Sequence, residues 1–333
     1  MSCNVTTNEL VANNVEQRRV LILGIGNPLL DKQLETSDTK LHEKYNLKTD
    51  SAYLVFPSNE EQLLPLFADL DELKNSIKSI PGGSAQSTLR VFQWILAAIG
   101  GPVREAAAYF GAVGDDENAS TLKKLATNAG LVVRYQLIPQ QKTGVCGALL
   151  HIWVQQKNLP QNIWTIRKIK CLLKRQKLIM QSLSAAYICK DFKKQLNSVL
   201  PYVDLLFGNE EEALAYAEAN EFKGNDLEEI VKQIAAYEKI NKLRSRSVVI
   251  TRGEHPIFIA TGGELLTFPV NIIERNKIKD TNGAGDAFSG GFLAALATGR
   301  TLDKCVQAGN FAARTIIQNV GCTFPDICAY IEK

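Results

Sequence analysis

The chain has 333 residues, of which 45% are apolar and 22% are charged. This length can bury a large core, either in one large α/β domain or in two smaller ones. The formal net charge is only +3, so composition gives no reason to expect a nucleic-acid or anionic-membrane partner. No apolar run approaches the length of a membrane span, which argues against a membrane partner.

The seven cysteines are scattered along the chain, and no two of them form a Cys-x-x-Cys pair. An odd number of dispersed cysteines is typical of reduced thiols rather than disulfides or a zinc site. We therefore predict a cytoplasmic protein, with the nucleus as an alternative. Residues 1–18 are polar and are predicted to form a disordered arm, which leaves 19–333 as the folded domain.

Apolar runs and helical patterns alternate along the chain. A short strand is predicted at 20–23, and apolar residues at helical spacing predict a helix over 60–78. The sequence Pro81-Gly82-Gly83 ends that pattern, and Ser84 is predicted to cap a second helix. Further strands are predicted at the following positions: 109–114, 131–137, 144–154, 203–207 and 247–251. Alternating strands and helices indicate an α/β fold with a largely parallel sheet, which binds ligands beyond the carboxyl ends of its strands.

The most informative motif is the run DTNGAGDAF at 280–288. Its glycines let backbone N–H groups approach a ligand, and the helix that follows adds a positive dipole end, so the turn suits a phosphate. Asp286 would then stand beside the phosphate and could take a proton from an attacking hydroxyl. The alternative is a capping aspartate at the start of an ordinary helix.

Two further turns carry polar groups that suit a sugar. Asn27 and Asp31 follow the first predicted strand, and a carboxylate can accept hydrogen bonds from both hydroxyls of a diol. Gly82 and Gly83 open the second helix and would let the backbone approach a ribose ring. Considered alone, each turn fits an ordinary loop or helix start better than a sugar site.

Two strand ends carry groups that suit phosphates and Mg²⁺. Asn209 and Glu212 could organise Mg²⁺ and its waters, although acidic residues at a helix start are favourable on structural grounds alone. Thr251 and Gly253 could meet a nucleotide phosphate through a hydroxyl and an amide. The sequence contains neither a complete dinucleotide fingerprint nor a Walker-type phosphate loop, so ATP must be held in another way.

The run at 280–288 closely resembles the second signature of the ribokinase-like family of carbohydrate and nucleoside kinases. The runs GNPLLD, GGSAQ, LPYVDLLFGNEEEA and GCTFP resemble the branch of this family that phosphorylates adenosine. The resemblance covers roughly 20–150 and 178–326. It implies a ribokinase-like α/β fold, with a largely parallel central sheet flanked by helices and a small β lid formed near 31–50 and 135–160.

The resemblance also implies a reaction and a set of site residues. The reaction would be Mg²⁺-dependent transfer of the ATP γ-phosphoryl group to the 5′-hydroxyl of adenosine, which gives AMP in purine salvage, by a monomer. The implied base is Asp286, and the implied anion hole is formed by Gly283, Ala284 and Gly285. The implied substrate-binding residues are Asn27, Leu29, Asp31, Gly82, Gly83 and Ser87. The implied nucleotide-binding residues are Asn209, Glu212, Thr251, Gly253, Thr281, Asn282 and Asn310, with Glu212 also reaching Mg²⁺ indirectly.

The chain departs from the family at about 151–177. The family's lid arginine, its Gly-Phe-Phe aromatic and one core strand are not recognisable there, and Ser87 stands where the family usually has Asn. These departures predict reduced activity on adenosine. Two alternatives therefore stay open: a catalytically degenerate paralogue that binds nucleosides or nucleotides, and a kinase for another nucleoside or a sugar.

Overall fold

The computed structural model describes residues 21–34, 40–47, 51–55, 59–73, 76–102, 104–149, 152–156, 178–240, 242 and 244–332. The predicted arm at 1–18 and residues 157–177 lie outside the described residues. Strands and helices alternate through most of the rest, which confirms the predicted α/β class. Within the described part of the chain, no helix is both long and apolar enough to cross a bilayer.

The strands are numbered in chain order, and they form three sheets. They are β1 (Ile22–Ile25), β2 (Leu29–Leu34), β3 (Ser51–Leu54), β4 (Ile77–Gly82), β5 (Ala107–Gly114), β6 (Val132–Ile138), β7 (Gly144–Leu149), β8 (Ile152–Gln156), β9 (Met180–Ser182), β10 (Leu205–Asn209), β11 (Ser247–Arg252), β12 (His255–Thr261) and β13 (Glu264–Phe268).

The helices are numbered in the same way, and most of them lie between strands. They are α1 (Lys40–Lys44), α2 (Glu60–Glu72), α3 (Ser84–Ala98), α4 (Glu117–Asn128), α5 (Ala186–Asp191), α6 (Lys193–Val199), α7 (Glu210–Ala219), α8 (Leu227–Ala236), α9 (Ala284–Ala297) and α10 (Leu302–Ile316). Short 3₁₀ turns occur at Leu200–Tyr202 and Arg275–Lys277.

The strands of the predicted central sheet form two blocks. One block has the order β1-β5-β6 and is parallel throughout. The other has the order β13-β12-β11-β10-β9, in which β9, β10 and β11 are parallel and β12 and β13 are antiparallel. Among the described residues, β1 pairs only with β5 and β9 pairs only with β10. Leu23, on the open edge strand β1, is 42% exposed.

The third sheet has the order β3-β8-β7-β2-β4 and lies on a small core of its own. Two predicted elements differ from the structure in this sheet. The helix predicted over 60–78 ends at Glu72, because Ile77–Gly82 pairs with β2 as a strand. The single strand predicted over 144–154 is instead the hairpin of β7 and β8. In both places, pairing with a neighbouring strand decides a structure that local pattern leaves ambiguous.

The main core lies between the strand blocks and the helices α3, α9 and α10. Phe207 of β10 packs edge-on against Phe292 of α9, with ring centroids 5.4 Å apart. Gly290 and Gly291 lie so close to the backbones of α3 and α10 that a Cβ on either would clash with a carbonyl oxygen. This close approach fixes the start of α9 relative to the start of α3.

Candidate active site

The loop before α9 is held by Asp280, which is 2% exposed. Its Oδ1 accepts hydrogen bonds from the Asn282 N–H (2.9 Å) and from Asn282 Nδ2 (2.7 Å), and its Oδ2 accepts one from the Gly321 N–H (2.8 Å). The next turn ends at Gly283, which has a left-handed backbone (φ 77°) that favours glycine. The loop therefore presents the first amides of α9 in a fixed arrangement.

Asp286 lies in the first turn of α9 and is half-buried. The N-cap is Gly283 and no side chain caps this helix, so the alternative reading of Asp286 as an N-cap is wrong. Its Oδ1 instead accepts a hydrogen bond from Ser84 Oγ at 2.6 Å. Ser84 is the first residue of α3, behind the N-cap Gly83, so the predicted capping role of Ser84 is also wrong. The starts of the two helices thus meet at this pair.

The surroundings of Asp286 suit a general base. Burial raises the pKa of the Asp286 carboxyl to about 7, and the hydrogen bond from Ser84 opposes that rise. A carboxylate with a pKa near neutral pH can both hold and release a proton under physiological conditions. A Cβ at Gly285 would meet nothing within 4 Å, so there is free space beside the amides of the same turn.

The predicted sugar-binding residues lie around the start of α3. The Asp31 carboxyl packs so closely on Gly82 that a Cβ there would overlap it, and the Asn27 carbonyl occupies the corresponding space at Gly83. Gly83 also has a positive φ of 88°. Leu29 is buried on the same strand as Asp31. Glycine at both positions therefore lets the two polar turns meet, and the predicted approach of this backbone to a ribose stays a prediction.

Asp31 is 4% exposed, and its Oδ1 has no hydrogen-bond partner. Burial raises the pKa of the Asp31 carboxyl to about 8, the nearby Arg90 lowers it, and Asp286 raises it further. Because Asp31 packs on Gly82 and Asp286 is hydrogen-bonded to Ser84, both carboxyls lie near the start of α3. Burial raises the pKa of the Cys322 thiol, and the nearby hydroxyl of Ser87, itself buried, lowers it.

Asn209 and Glu212 form a capping box at the start of α7. The Asn209 side chain accepts from the Glu212 N–H (2.8 Å), and the Glu212 carboxyl accepts from the Asn209 N–H (3.1 Å) and Nδ2 (3.0 Å). The structural alternative for this pair therefore holds. Thr251 pairs in register with Asn209 on the adjacent parallel strand, so the two polar groups share one strand end.

The residues near Glu212 fit a Mg²⁺ ion held mainly by phosphates and water. Burial raises the pKa of Glu212 to about 7, hydrogen bonding from the Asn209 backbone opposes this, and Asp286 raises it further. In the described part of the chain, no three His, Cys, Asp or Glu side chains form a metal cluster. Mg²⁺ commonly keeps several waters and uses one or two carboxylates together with substrate phosphates. A single carboxylate such as Glu212 is compatible with that requirement, and its indirect contact with Mg²⁺ stays a prediction.

The remaining predicted nucleotide-binding residues are more dispersed. Gly253 is in the turn between β11 and β12, and Thr281 is exposed before α9. Asn282 gives its side-chain amide to Asp280. Asn310 lies within α10, where its Nδ2 donates to the Pro269 carbonyl at 3.3 Å. The structure gives Asn282 and Asn310 structural partners without bringing either onto Asp286.

Sequence reasoning missed several groups that contact the site. Ser84 was considered only as a cap, because its partner Asp286 is 202 positions away. Asp280 lies within the run at 280–288, but its position in the sequence does not indicate that it holds the turn. Arg90 and Cys322 were not considered at all. A buried cation within the apolar helix α3 is a signal that could have identified Arg90.

A separate cavity of about 340 Å³ lies between the end of α8 and the β12–β13 turn. None of the predicted site residues lines it. Its cations are engaged in the structure: Lys239 Nζ bonds to Asp204 Oδ1 at 2.7 Å, and Arg246 donates to carbonyls including those of Leu200 and Tyr237. These contacts hold the end of α8 rather than forming a reaction centre.

Comparison with known proteins gives a consistent result. The family model described as "pfkB family carbohydrate kinase" matches residues 43–155 and 154–327. Adenosine kinase 1 of Arabidopsis thaliana is 32% identical, over 92% of this chain and 96% of the relative. Adenosine kinase of Dictyostelium discoideum is 31% identical, over 92% of this chain and 97% of the relative.

Solved structures agree with the sequence relatives. Anopheles gambiae adenosine kinase, in complex with P1,P4-di(adenosine-5) tetraphosphate, has a TM-score of 0.81 at 34% identity, over 94% of this chain and 99% of that one. Schistosoma mansoni adenosine kinase, in complex with adenosine and AMP, has a TM-score of 0.79 at 26% identity, over 94% and 99%. These similarities confirm the ribokinase-like fold predicted from the sequence. The chain belongs to the pfkB family of carbohydrate kinases, within its adenosine kinase branch.

Proposed function

We propose that this protein transfers the γ-phosphoryl group of ATP to the 5′-hydroxyl of adenosine and so produces AMP for purine salvage. The observation that carries this proposal is the placement of two carboxyls beside the start of α3: the half-buried Asp286 in the first turn of α9 and the buried Asp31 on β2. Asp286 accepts a hydrogen bond from Ser84, the first residue of α3. Asp31 packs against Gly82, two residues before it, and Asp286 raises the pKa of Asp31.

Asp31 and its neighbours form the acceptor side. The free Oδ1 of Asp31 can accept a hydrogen bond from a hydroxyl of the ribose diol, and burial of the carboxyl strengthens that bond. Asn27, Gly82, Gly83 and Ser87 line the ribose, and Leu29 packs against the nucleoside. The 5′-hydroxyl then points toward Asp286.

Asp286 is the general base. Its carboxylate takes the proton of the 5′-hydroxyl as the oxygen attacks the γ-phosphorus. The amides of Gly283, Ala284 and Gly285, together with the positive end of α9, stabilise the charge that develops on the transferred group. The hydrogen bond from Ser84 holds the carboxylate in place before the reaction.

The nucleotide side is formed by Asn209, Thr251 and Gly253 at the ends of β10 and β11, with Thr281, Asn282 and Asn310 near α9 and α10. Glu212 would hold Mg²⁺ through water, and the ion supplies charge neutralisation for the ATP phosphates when it is bound. The sheet β3-β8-β7-β2-β4 contains only parts of the segments predicted near 31–50 and 135–160, namely the end of β2 and the strands β7 and β8. We infer that this sheet serves as the lid that excludes water.

A reduced rate is part of this proposal. The segment 151–177 lacks the family's lid arginine and pocket aromatic. The second candidate, a degenerate nucleoside-binding paralogue, is favoured by the same observations, whereas the near-neutral pKa of Asp286 favours the enzyme.

We further propose that the protein acts as a monomer in the cytoplasm. Cys146, Cys189, Cys305 and Cys322 are free and buried, which suits a reducing compartment. Cell fractionation and sedimentation velocity test these two points directly.

The test of the proposed function is a phosphotransfer assay. Purified full-length protein is given ATP, Mg²⁺ and a panel of nucleosides and sugars, and products are separated by chromatography. We expect AMP from adenosine as the dominant product. If a different acceptor is phosphorylated instead, that acceptor replaces adenosine as the proposed substrate. Adenosine binding without any product would establish the degenerate alternative.

A further inference from the structure

Arg90 is a buried cation that the reaction described above leaves without a role. It lies in α3, two turns from Ser84, and is 7% exposed. Its Nη1 donates to the Pro81 carbonyl at 2.9 Å and to the Cys322 carbonyl at 3.2 Å. Its Nε is buried without a hydrogen-bond partner, and its guanidinium lies 5.2 Å from the centre of the Phe324 ring.

Asp31 faces the same place from the lid sheet. Its strand pairs with β4, where Leu30 is opposite Pro81, and its carboxyl packs on Gly82. Arg90 therefore holds the backbone at Pro81, directly beside the point that Asp31 contacts. Each of the two residues keeps one buried polar atom unpartnered, Asp31 Oδ1 and Arg90 Nε.

We propose that Arg90 is a positioning residue for adenosine: by tying Pro81 to Cys322 beside the Asp31 carboxyl, it orients that carboxyl toward the ribose diol and favours its ionised form. The inference rests on the proposed function of Asp31 as the diol ligand. Arg90 acts through Asp31 and touches no reacting atom.

The charges around Asp31 support this role. The groups that affect it from the packed elements are Arg90 of α3, Asp286 of α9, Cys146 of β7 and Cys322 after α10. Of these, only Arg90 can carry a positive charge. An ionised carboxyl buried without a compensating cation takes up a proton. Loss of Arg90 would therefore raise the pKa of Asp31 further and weaken the hydrogen bonds that its carboxylate accepts from the two hydroxyls.

The test is a double-mutant cycle on the full-length protein with Arg90→Met, Asp31→Asn and both together. Calorimetry measures the affinity for adenosine and for 2′,3′-dideoxyadenosine, which lacks the diol. We expect Arg90→Met to lower the affinity for adenosine by about tenfold or more and to leave the affinity for dideoxyadenosine nearly unchanged. The double variant should bind adenosine as Asp31→Asn does, because both changes act on one interaction. Equal losses for both nucleosides, or additive losses in the cycle, would overturn the proposal.

Arg90→Lys is the matched variant, and it keeps the inference testable if Arg90→Met folds poorly. Lysine retains the charge, so we expect most of the selectivity for the diol to remain. If the adenosine affinity of Arg90→Lys falls to that of Asp31→Asn, the electrostatic role of Arg90 is contradicted.

A second measurement separates this inference from the proposed function. The pKa of Asp31 is followed by carboxyl-carbon NMR in the protein without nucleoside, and it should rise in Arg90→Met and remain near the wild-type value in Arg90→Lys. A wild-type protein that binds no adenosine would refute the proposed function while this titration still decides whether Arg90 controls Asp31. An Asp31 pKa that does not change in Arg90→Met would refute the inference even if adenosine is the substrate.

Discussion

Ser84 Oγ and Asp286 Oδ1 are 2.6 Å apart, although the two residues are separated by 202 positions in the chain. This hydrogen bond joins the first residue of α3 to the first turn of α9. It is therefore the most direct link between the acceptor side and the phosphate side of the proposed site. Its energetic effect is visible in the Asp286 carboxyl, whose pKa would be higher without it.

Asp286→Asn should nearly abolish phosphotransfer. Asparagine keeps the shape of the side chain and the contact with Ser84 but cannot take a proton. We expect turnover to fall by about two to four orders of magnitude. A coupled assay for ADP measures the effect, and adenosine binding by calorimetry serves as the control for folding. Near-normal turnover would exclude Asp286 as the base.

Ser84→Ala should move the pH dependence of turnover. The base must be ionised, so turnover should rise with pH through the Asp286 pKa of about 7 and then level off. Removing the Ser84 donor takes away the interaction that lowers this pKa. We therefore expect the midpoint of the profile to move to higher pH, with the plateau rate changed only a few-fold. A midpoint that stays in place would show that the hydrogen bond does not tune the base.

Asp31→Asn should make the protein more stable at alkaline pH. Burial raises the pKa of Asp31 from 3.8 to about 8. Between these values the folded state holds a proton that the unfolded state releases, so the free energy of unfolding falls as pH rises, by up to about 1.4 kcal/mol per pH unit. Asparagine removes this dependence. Urea denaturation at pH 5 and pH 9 should show the advantage of the variant growing with pH, whereas Asp326→Asn, at an exposed site, should show no such trend.

Variants at Glu212 and Asn209 should distinguish an effect on Mg²⁺ binding from an effect on the capping of α7. Asn209→Ala removes the cap of α7 and should cost about 1 kcal/mol of stability. Glu212→Gln keeps an acceptor for the Asn209 N–H and removes only the charge. We expect it to raise the Mg²⁺ concentration needed for half-maximal activity, with little change in melting temperature. The exposed neighbour Glu211 provides the control, as Glu211→Gln. If the wild type, Glu212→Gln and Glu211→Gln show the same Mg²⁺ dependence, Glu212 has only its capping role.

Replacing 151–180 with the corresponding segment of an adenosine kinase should increase the rate. The replacement restores an arginine near the transferred phosphate, and comparable arginines contribute about 10³-fold or more. Steady-state kinetics of the chimera and the wild type, measured side by side, give the comparison. Equal rates would mean that the native segment compensates, and the proposed impairment would then be dropped.

The site could be predicted where its chemistry lies in a short run of sequence. The turn at Gly283 and the capping box at Asn209 are both local, so spacing alone indicates them. The extent of α2 could not be predicted, because the strand Ile77–Gly82 forms only when β2 is available to pair with it. The partners of Ser84 and Arg90 were likewise invisible, since both contact residues far away in the chain.

The packing of α3, α9 and α10 has a mechanical consequence. These helices share one core with the block that contains β1 and with the block that contains β10. The acceptor side lies next to the first block, whereas Asn209 and Thr251 stand at the end of the second. The alignment of donor and acceptor therefore depends on how tightly those helices pack. An added methyl group at Gly290, distant from either substrate, would act as a wedge that changes this alignment.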